Sequence, residues 1–285
     1  MAPPQPPDVG EPDTAEVPFD VAADDVAMGT DAGSAPPDGP TVDMDAAPIT
    51  MDLAPSADGG IVVDMATVDR PTMPVLPTAL GHWRLDEASG AVAGDERGLN
   101  PGMLLDGAAF RVGRGFPAAK FPNGGALALD GRGWVELGVR SLPAIGKPIT
   151  VAAWFHVSVS PTGRKNVVAI TNPSAGEAIQ IGLENGKMTV WLWDARFILS
   201  SATTAVPGWH HIAYSYDGTL HKMYEDGRLI DASPNVIPVA TTRYVRLGAF
   251  DPDEGEKLNG LIDDVRIYGN ALEAAQIAHL FAGQQ

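Results

Sequence analysis

The sequence predicts an all-β fold, a two-sheet antiparallel sandwich followed by one short C-terminal helix, and three observations predict it. All six tryptophans and every tyrosine lie from Trp83 onward, so the material for a core is confined to about 205 residues. From Leu80, short runs rich in β-branched and aromatic residues alternate with Gly, Asn and Asp clusters about every ten residues, the spacing of a sandwich or barrel. Helical periodicity is nearly absent until the last residues.

Taken in order, GGALALDGRGWVELG reads as two paired strands about an Asp130-Gly131 turn. Leu127 and Leu129 share one face, and Trp134 and Glu136 oppose Val135 and Leu137. PITVAAWFHVSV is almost continuously apolar from Ile149 to Val159, as a central strand under a second sheet would be. KMTVWLW is a further strand. WHHIAYSYDGTLHKMYEDGRLI reads as two hairpins, because Asp217-Gly218 and Asp226-Gly227 accept the positive φ values of tight turns. LNGLIDDVRIY is the last strand. ALEAAQIAHLF is the helix, with Asn270 as N-cap, Glu273 three residues on, and Leu272, Ile277 and Leu280 as its packing stripe.

Residues 1–78 are of a different composition. They hold 15 acidic residues against Arg70 alone, 14 of the 25 prolines and one aromatic, Phe19, and so carry −14 of the net charge of −17. Such a segment cannot bury enough apolar area to offset ordering at roughly 1–2 kcal/mol per residue. It is predicted to be a disordered acidic leader or stalk, with residues 79–285 as one domain. Like charges and prolines would keep the leader extended. The start, MAPPQPPDVG, lacks the basic and apolar regions of a secretory signal. Two expectations follow: a signal or lipobox upstream of Met1 with the domain at the cell surface or secreted, or a cytoplasmic protein if Met1 is the true start.

Without cysteine, disulfides and thiolate metal sites are excluded. No run reaches the roughly 18 apolar residues of a membrane helix. The slightly acidic domain spreads its basic residues singly, which argues against nucleic acid. No G-x-S-x-G, H-E-x-x-H or P-loop occurs. Glu254 and Glu256 sit in a Gly- and Pro-bearing loop, where a solvated charge cluster is the default.

Three places invite function. Strict alternation in LIDDVRI puts Asp263 in one row with Leu261, Val265 and Ile267, where a carboxylate needs donors, a proton or a cation. Trp191 and Trp193 share a strand face, with Asp194 and Arg196 close by. That face is either a platform for stacking sugar rings or the core side of the strand. His210 and His211 are adjacent on a strand and so face opposite ways, which denies them one common ion.

GHWRLDEASG, GDERGLNPGML, GGALALDG, ITVAAWF, GWHHIAYSYDG, YEDGRLI and GLIDDVRIYGNAL, in that order, resemble the LamG-like, concanavalin A-like jelly-roll family in its bacterial, pentraxin-related branch. The resemblance covers about Ala79 to Ala282. It implies an extracellular module for adhesion or carbohydrate binding, with a carbohydrate or surface protein as partner; the acidic leader adds the expectation of peripheral tethering, and the missing catalytic motifs that of no catalysis. It also implies a structural Ca²⁺ held between Asp263 of the last strand and Asp95 and Asn100 of a loop that departs from the family's D-x-S-G-N pattern. Glycosidases on this sandwich carry an E-x-D-x-x-E run, which does not occur within residues 79–285. The alternatives are a structural or adhesion domain without a soluble ligand and a divergent glycoside hydrolase.

Overall fold

The computed structural model describes residues 74–192, 197–251, 253 and 255–283. Its strands are β1 (Gly81–Trp83), β2 (Val92–Ala93), β3 (Gly102–Leu105), β4 (Ala109–Val112), β5 (Gly125–Asp130), β6 (Trp134–Leu137), β7 (Ile149–Val157) and β8 (Arg164–Asn172). These are followed by β9 (Glu177–Glu184), β10 (Lys187–Leu192), β11 (Phe197–Thr204), β12 (Gly208–Tyr216), β13 (Leu220–Glu225), β14 (Arg228–Pro234), β15 (Tyr244–Leu247) and β16 (Asn259–Tyr268). One helix, α1 (Ala274–Phe281), completes the described elements.

The strands form two antiparallel sheets of a jelly-roll sandwich. The first runs β14-β13-β12-β7-β16-β5-β4, with β1 also on β16, and the second runs β11-β10-β9-β8-β15-β6-β3-β2. Alternation sends Val151, Phe155, Ile212, Tyr214, Ile262 and Ile267 of the first sheet inward against Ile170, Ile179, Ile181, Val190, Val245 and Leu247 of the second. Each such burial is worth about 1.5–3 kcal/mol. The apolar run at β7 is central, between β12 and β16. The two predicted hairpins are β12-β13 and β13-β14, turning at Gly218 (φ 108°) and at Asp226 (φ 46°) with Gly227 (φ 76°).

The structure corrects three readings. β5 and β6 do not pair: β5 lies in the first sheet between β4 and β16, and β6 in the second between β3 and β15. The turn between them is tied by Asp130 Oδ1, which accepts from the Arg132 and Gly133 amides at 2.9 Å, and it carries the chain across the sandwich. The helix begins after Glu273, where the Gln276 side chain accepts the Glu273 amide at 2.9 Å. Asn270 is not its cap, because Thr150 Oγ1 donates to the Asn270 carbonyl and accepts the Leu272 amide, both at 2.8 Å, holding that stretch along β7.

The third correction concerns Asp263. Opposite β7, Asp263 pairs with Trp154 and Arg266 with Ala152, so β16 carries one extra residue, at Asp264 (φ 44°). This bulge resets the alternation. Asp263 faces outward beside Trp154, whereas Val265 and Ile267 face the core.

The outer face of the first sheet is covered. Leu272, Ile277 and Leu280 pack with Ala152, Ala213, Tyr224 and Tyr268, and Leu76 and Ala79 join them. Phe116 stacks on Trp154 at 4.5 Å and Phe281 lies 5.4 Å from the same indole. Residues 1–73 of the predicted leader lie outside the described residues.

Candidate functional site

The outer face of the second sheet is built by the side chains that alternate with its core residues. Register carries one row across seven strands, Val92, Met103, Glu136, Arg246, Ala169, Gln180 and Trp191. At one side, Trp191 projects into this face and not into the core, yet it is only 4% exposed. Its indole N–H donates to Glu184 Oε2 at 3.2 Å, and the Arg164 guanidinium lies 4.7 Å over its ring. Arg164 in turn is 3.7 Å from Glu256, which also accepts from Asn166 Nδ2 at 3.3 Å. Trp193, Asp194 and Arg196, the other residues of the predicted sugar platform, lie outside the described residues.

On the other side, Arg246 is flanked by two rings, 4.6 Å from Tyr244 and 5.3 Å from Trp134. Its Nη1 donates to the Phe250 carbonyl at 2.7 Å and its Nε to Glu136 Oε2 at 3.4 Å, so the guanidinium is fixed in orientation. Between the two aromatic clusters the floor is small, Ala169 and Ala178, with Phe250 packed on it. Four atoms of this face, Gln180 Oε1, Asn166 Oδ1, Thr171 Oγ1 and Trp134 Nε1, are buried with no hydrogen-bond partner among the described residues. Leaving such an atom unsatisfied costs about 1–3 kcal/mol, which a buried water relieves. A cleft of about 390 Å³ opens at the Tyr244 end, lined by Asn172, Ser174, Ala175, Thr241 and Arg243. Asn172 holds its two walls together, donating to the Thr241 carbonyl at 2.7 Å and accepting the Ala175 amide at 3.2 Å.

The residues implied for Ca²⁺ have their oxygens engaged by donors. Asp95 accepts the His82, Arg97, Leu99 and Asn100 amides at 2.9–3.2 Å. Burial works against its charge, but these amides hold its carboxyl below the usual range. Asn100 Oδ1 accepts the Ser141 amide at 3.1 Å. Asp263 accepts the Phe116 amide, Asn123 Nδ2 and the Asp264 amide at 2.9–3.0 Å, and burial pushes its carboxyl up to about 7 against that donation. Oxygens this fully occupied by N–H groups do not fit a cation that needs six to eight of them. A cleft of about 370 Å³ beside Asp95 is lined by Arg84, Asp86, Glu87, Gly94 and Glu96.

A laminin-G-type family model, described as the Concanavalin A-like lectin/glucanases superfamily, matches residues 129–278. The chain belongs to this superfamily. Its lectin/glucanase sandwich is similar to domain 4 of an extracellular GH43 arabinanase from Geobacillus stearothermophilus, solved with arabinotriose. That match has a TM-score of 0.55 and 20% identity, over 71% of this chain and 98% of that one. A Trypanosoma rangeli sialidase matches with a TM-score of 0.54 and 16% identity, over 75% of this chain and 35% of that one. The botulinum neurotoxin serotype D binding domain matches with a TM-score of 0.53 and 13% identity, over 72% of this chain and 50% of that one. The lectin/glucanase domain thus spans about a third of the sialidase and half of the neurotoxin domain. No curated protein matches the chain. No helix among the described residues is long and apolar enough to cross a membrane.

In this lectin/glucanase domain the sequence marks the strand face of Trp134 but not Tyr244, Arg246 or the Asn172 cleft as parts of one site. The signal was present in YVRL, where Tyr244 and Arg246 alternate with the core residues Val245 and Leu247. Four residues are too short a run to identify a strand without its neighbours.

Proposed function

We propose that the domain is a non-catalytic carbohydrate-binding module, displayed outside the cell, whose ligand lies along the outer face of the second sheet and enters the Asn172–Arg243 cleft. The observation that carries this reading is the juxtaposition of Tyr244 and ring-stacked Arg246 with a cleft of about 390 Å³ lined by Asn172, Ser174, Thr241 and Arg243. Aromatic faces stack on the C–H faces of sugars, and fixed polar groups select hydroxyl patterns. The carboxylates of the face already have partners: Glu136 meets Arg246, Glu184 meets Trp191 and Glu256 meets Arg164. These contacts favour recognition over acid–base work. The arabinotriose of the arabinanase domain and the N-acetylneuraminic acid of a serotype D neurotoxin structure support the ligand class by analogy of fold.

Glycan-array binding tests the reading. The wild-type chain should retain a defined set of oligosaccharides, and Tyr244→Ala and Arg243→Ala should each weaken the best of them about tenfold, the equivalent of one good contact. An array with no bound glycan, or variants that bind as the wild type does, would reject it.

A second reading, adhesion to a protein, is favoured by β14. This edge strand of the first sheet exposes Leu229 and Ile230 to 50% and 41%. An open, partly apolar edge accepts an added strand.

A further inference from the structure

His210 was set aside in the sequence because its neighbour His211 faces the other way. The fold supplies different neighbours for it. Glu225 ends β13 and Asp226 begins the turn into β14, and adjacent residues of a strand would point apart. Asp226, however, has left the extended conformation at φ 46°, so its carboxylate joins that of Glu225 beside His210. One ligand atom from each of His210, Glu225 and Asp226 lies within 4.8 Å of the others.

Each of the three is oriented from behind. His210 Nε2 is 2.8 Å from the Val206 carbonyl, which only accepts, so Nε2 carries a proton; Nδ1 faces Asp226 Oδ2 and ligates an ion on giving up any proton of its own. Asp226 Oδ1 accepts the His211 amide at 2.8 Å, which leaves Oδ2 toward His210. Glu225 Oε2 accepts from Ser201 Oγ at 2.7 Å. This is the supporting layer that metal ligands require: a second hydrogen bond on the ring and on each carboxylate.

The remaining distance agrees. His210 Nδ1 and Asp226 Oδ2 are 3.2 Å apart. That is the long end of an N–H···O hydrogen bond. Two ligands at about 2.0–2.1 Å from one tetrahedral ion stand about 3.3 Å from each other. His210 is 7% exposed, and the two carboxylates beside it carry a charge that one divalent ion, in place of a proton on Nδ1, would cancel.

We propose that His210, Glu225 and Asp226 form a divalent-metal site matched to Zn²⁺, with the remaining coordination open to water. One nitrogen and two carboxylate oxygens without sulfur suit zinc and its first-row neighbours. The ion would join β12 to the β13-β14 turn. Through Ser201 of β11 it would also clip the edge of the second sheet to the first, beside the Asp231 carboxylate that accepts the Ser200 amide at 3.2 Å.

The test uses the full chain stripped with chelator and titrated with ZnCl₂ in a calorimeter, alongside CoCl₂ titration followed by visible absorption. One equivalent of zinc should bind with micromolar or tighter affinity, melting should shift upward, and bound cobalt should show d–d bands that zinc abolishes. Asp226→Asn tolerates the positive φ of the turn, and Glu225→Gln keeps an acceptor for Ser201. Each should bind zinc at least tenfold more weakly while melting, in chelator, as the wild type does. His210→Gln should abolish the cobalt bands. Absence of zinc binding, or zinc bound equally by wild type and Asp226→Asn, would overturn the site, the latter because the ion would then sit elsewhere.

Discussion

Asp263 and Asp264 are neighbours on one strand with opposite electrostatic fates. The Asp264 carboxylate is buried, which works against its charge, but it receives His82 Nε2 at 2.7 Å and Arg266 Nε at 2.9 Å and is held below the usual carboxylate range. Asp263 has only N–H donors beside it among the described residues, and burial pushes it up to about 7. Its work is to terminate the amides of Phe116 and Asp264 and the side chain of Asn123, which tie the 113–124 loop to the sheet. Asp263→Ala would orphan three donors, and unfolding in urea should read a loss of about 2–4 kcal/mol. Asp263→Asn keeps one acceptor and should lose less than half as much.

At the scale of elements, α1 is attached through its apolar stripe. Ile277 and Leu280 are fully buried against Tyr268, Tyr224 and Ala213. An isolated helix of eight residues is marginal in water, so this contact is the source of its stability. Leu280→Ala should cost about 2–5 kcal/mol and lower the melting temperature, and because α1 covers the sheet opposite the proposed ligand face, glycan affinity should stay unchanged. In the second sheet Gly182 opposes Asn166 at the irregularity between Asn166 and Val168 of β8, and a Cβ there would run into the Lys165 carbonyl. Gly182→Ala therefore strains the pairing of β8 with β9 beneath Trp191. It should reduce both stability and any glycan binding, read from the same melting and array measurements.

For the molecule as a whole, pH acts through a histidine sealed in the core. His221 is fully buried, with Nδ1 2.8 Å from the Tyr214 hydroxyl and its ring stacked 4.2 Å from Tyr216. Burial pushes its imidazole down to about 4. In the unfolded chain the same ring takes a proton near about 6.5. Between these values the unfolded state binds the extra proton, so the contribution is fully present above about 6.5 and is lost as pH falls toward 4. The loss is at most about 3 kcal/mol. His221→Phe removes the titration, and the difference between the urea midpoints of variant and wild type should change across pH 7 to 4.5 in the variant's favour. A difference independent of pH would show that the ring does not titrate in this window, since the orphaned Tyr214 hydroxyl costs the same at every pH.

Local pattern determined a great deal in this protein. The apolar run of β7 announced a central strand, the Asp-Gly pairs marked the turns of β12-β13-β14, and the stripe Leu272, Ile277, Leu280 was legible as the helix's packing face. Each of these depends on periodicity and backbone conformation within a few residues, which sequence carries directly. Partnership between distant segments is not carried that way. The separation of β5 from β6 into different sheets, the extra residue at Asp264 that turns Asp263 outward, and the cover over Trp191 were decided only by the assembled sandwich. So was the approach of Asp226 to His210. A period of two tells which face a residue takes, but one bulge or one left-handed residue inverts that face, and only tertiary packing selects where the inversion falls.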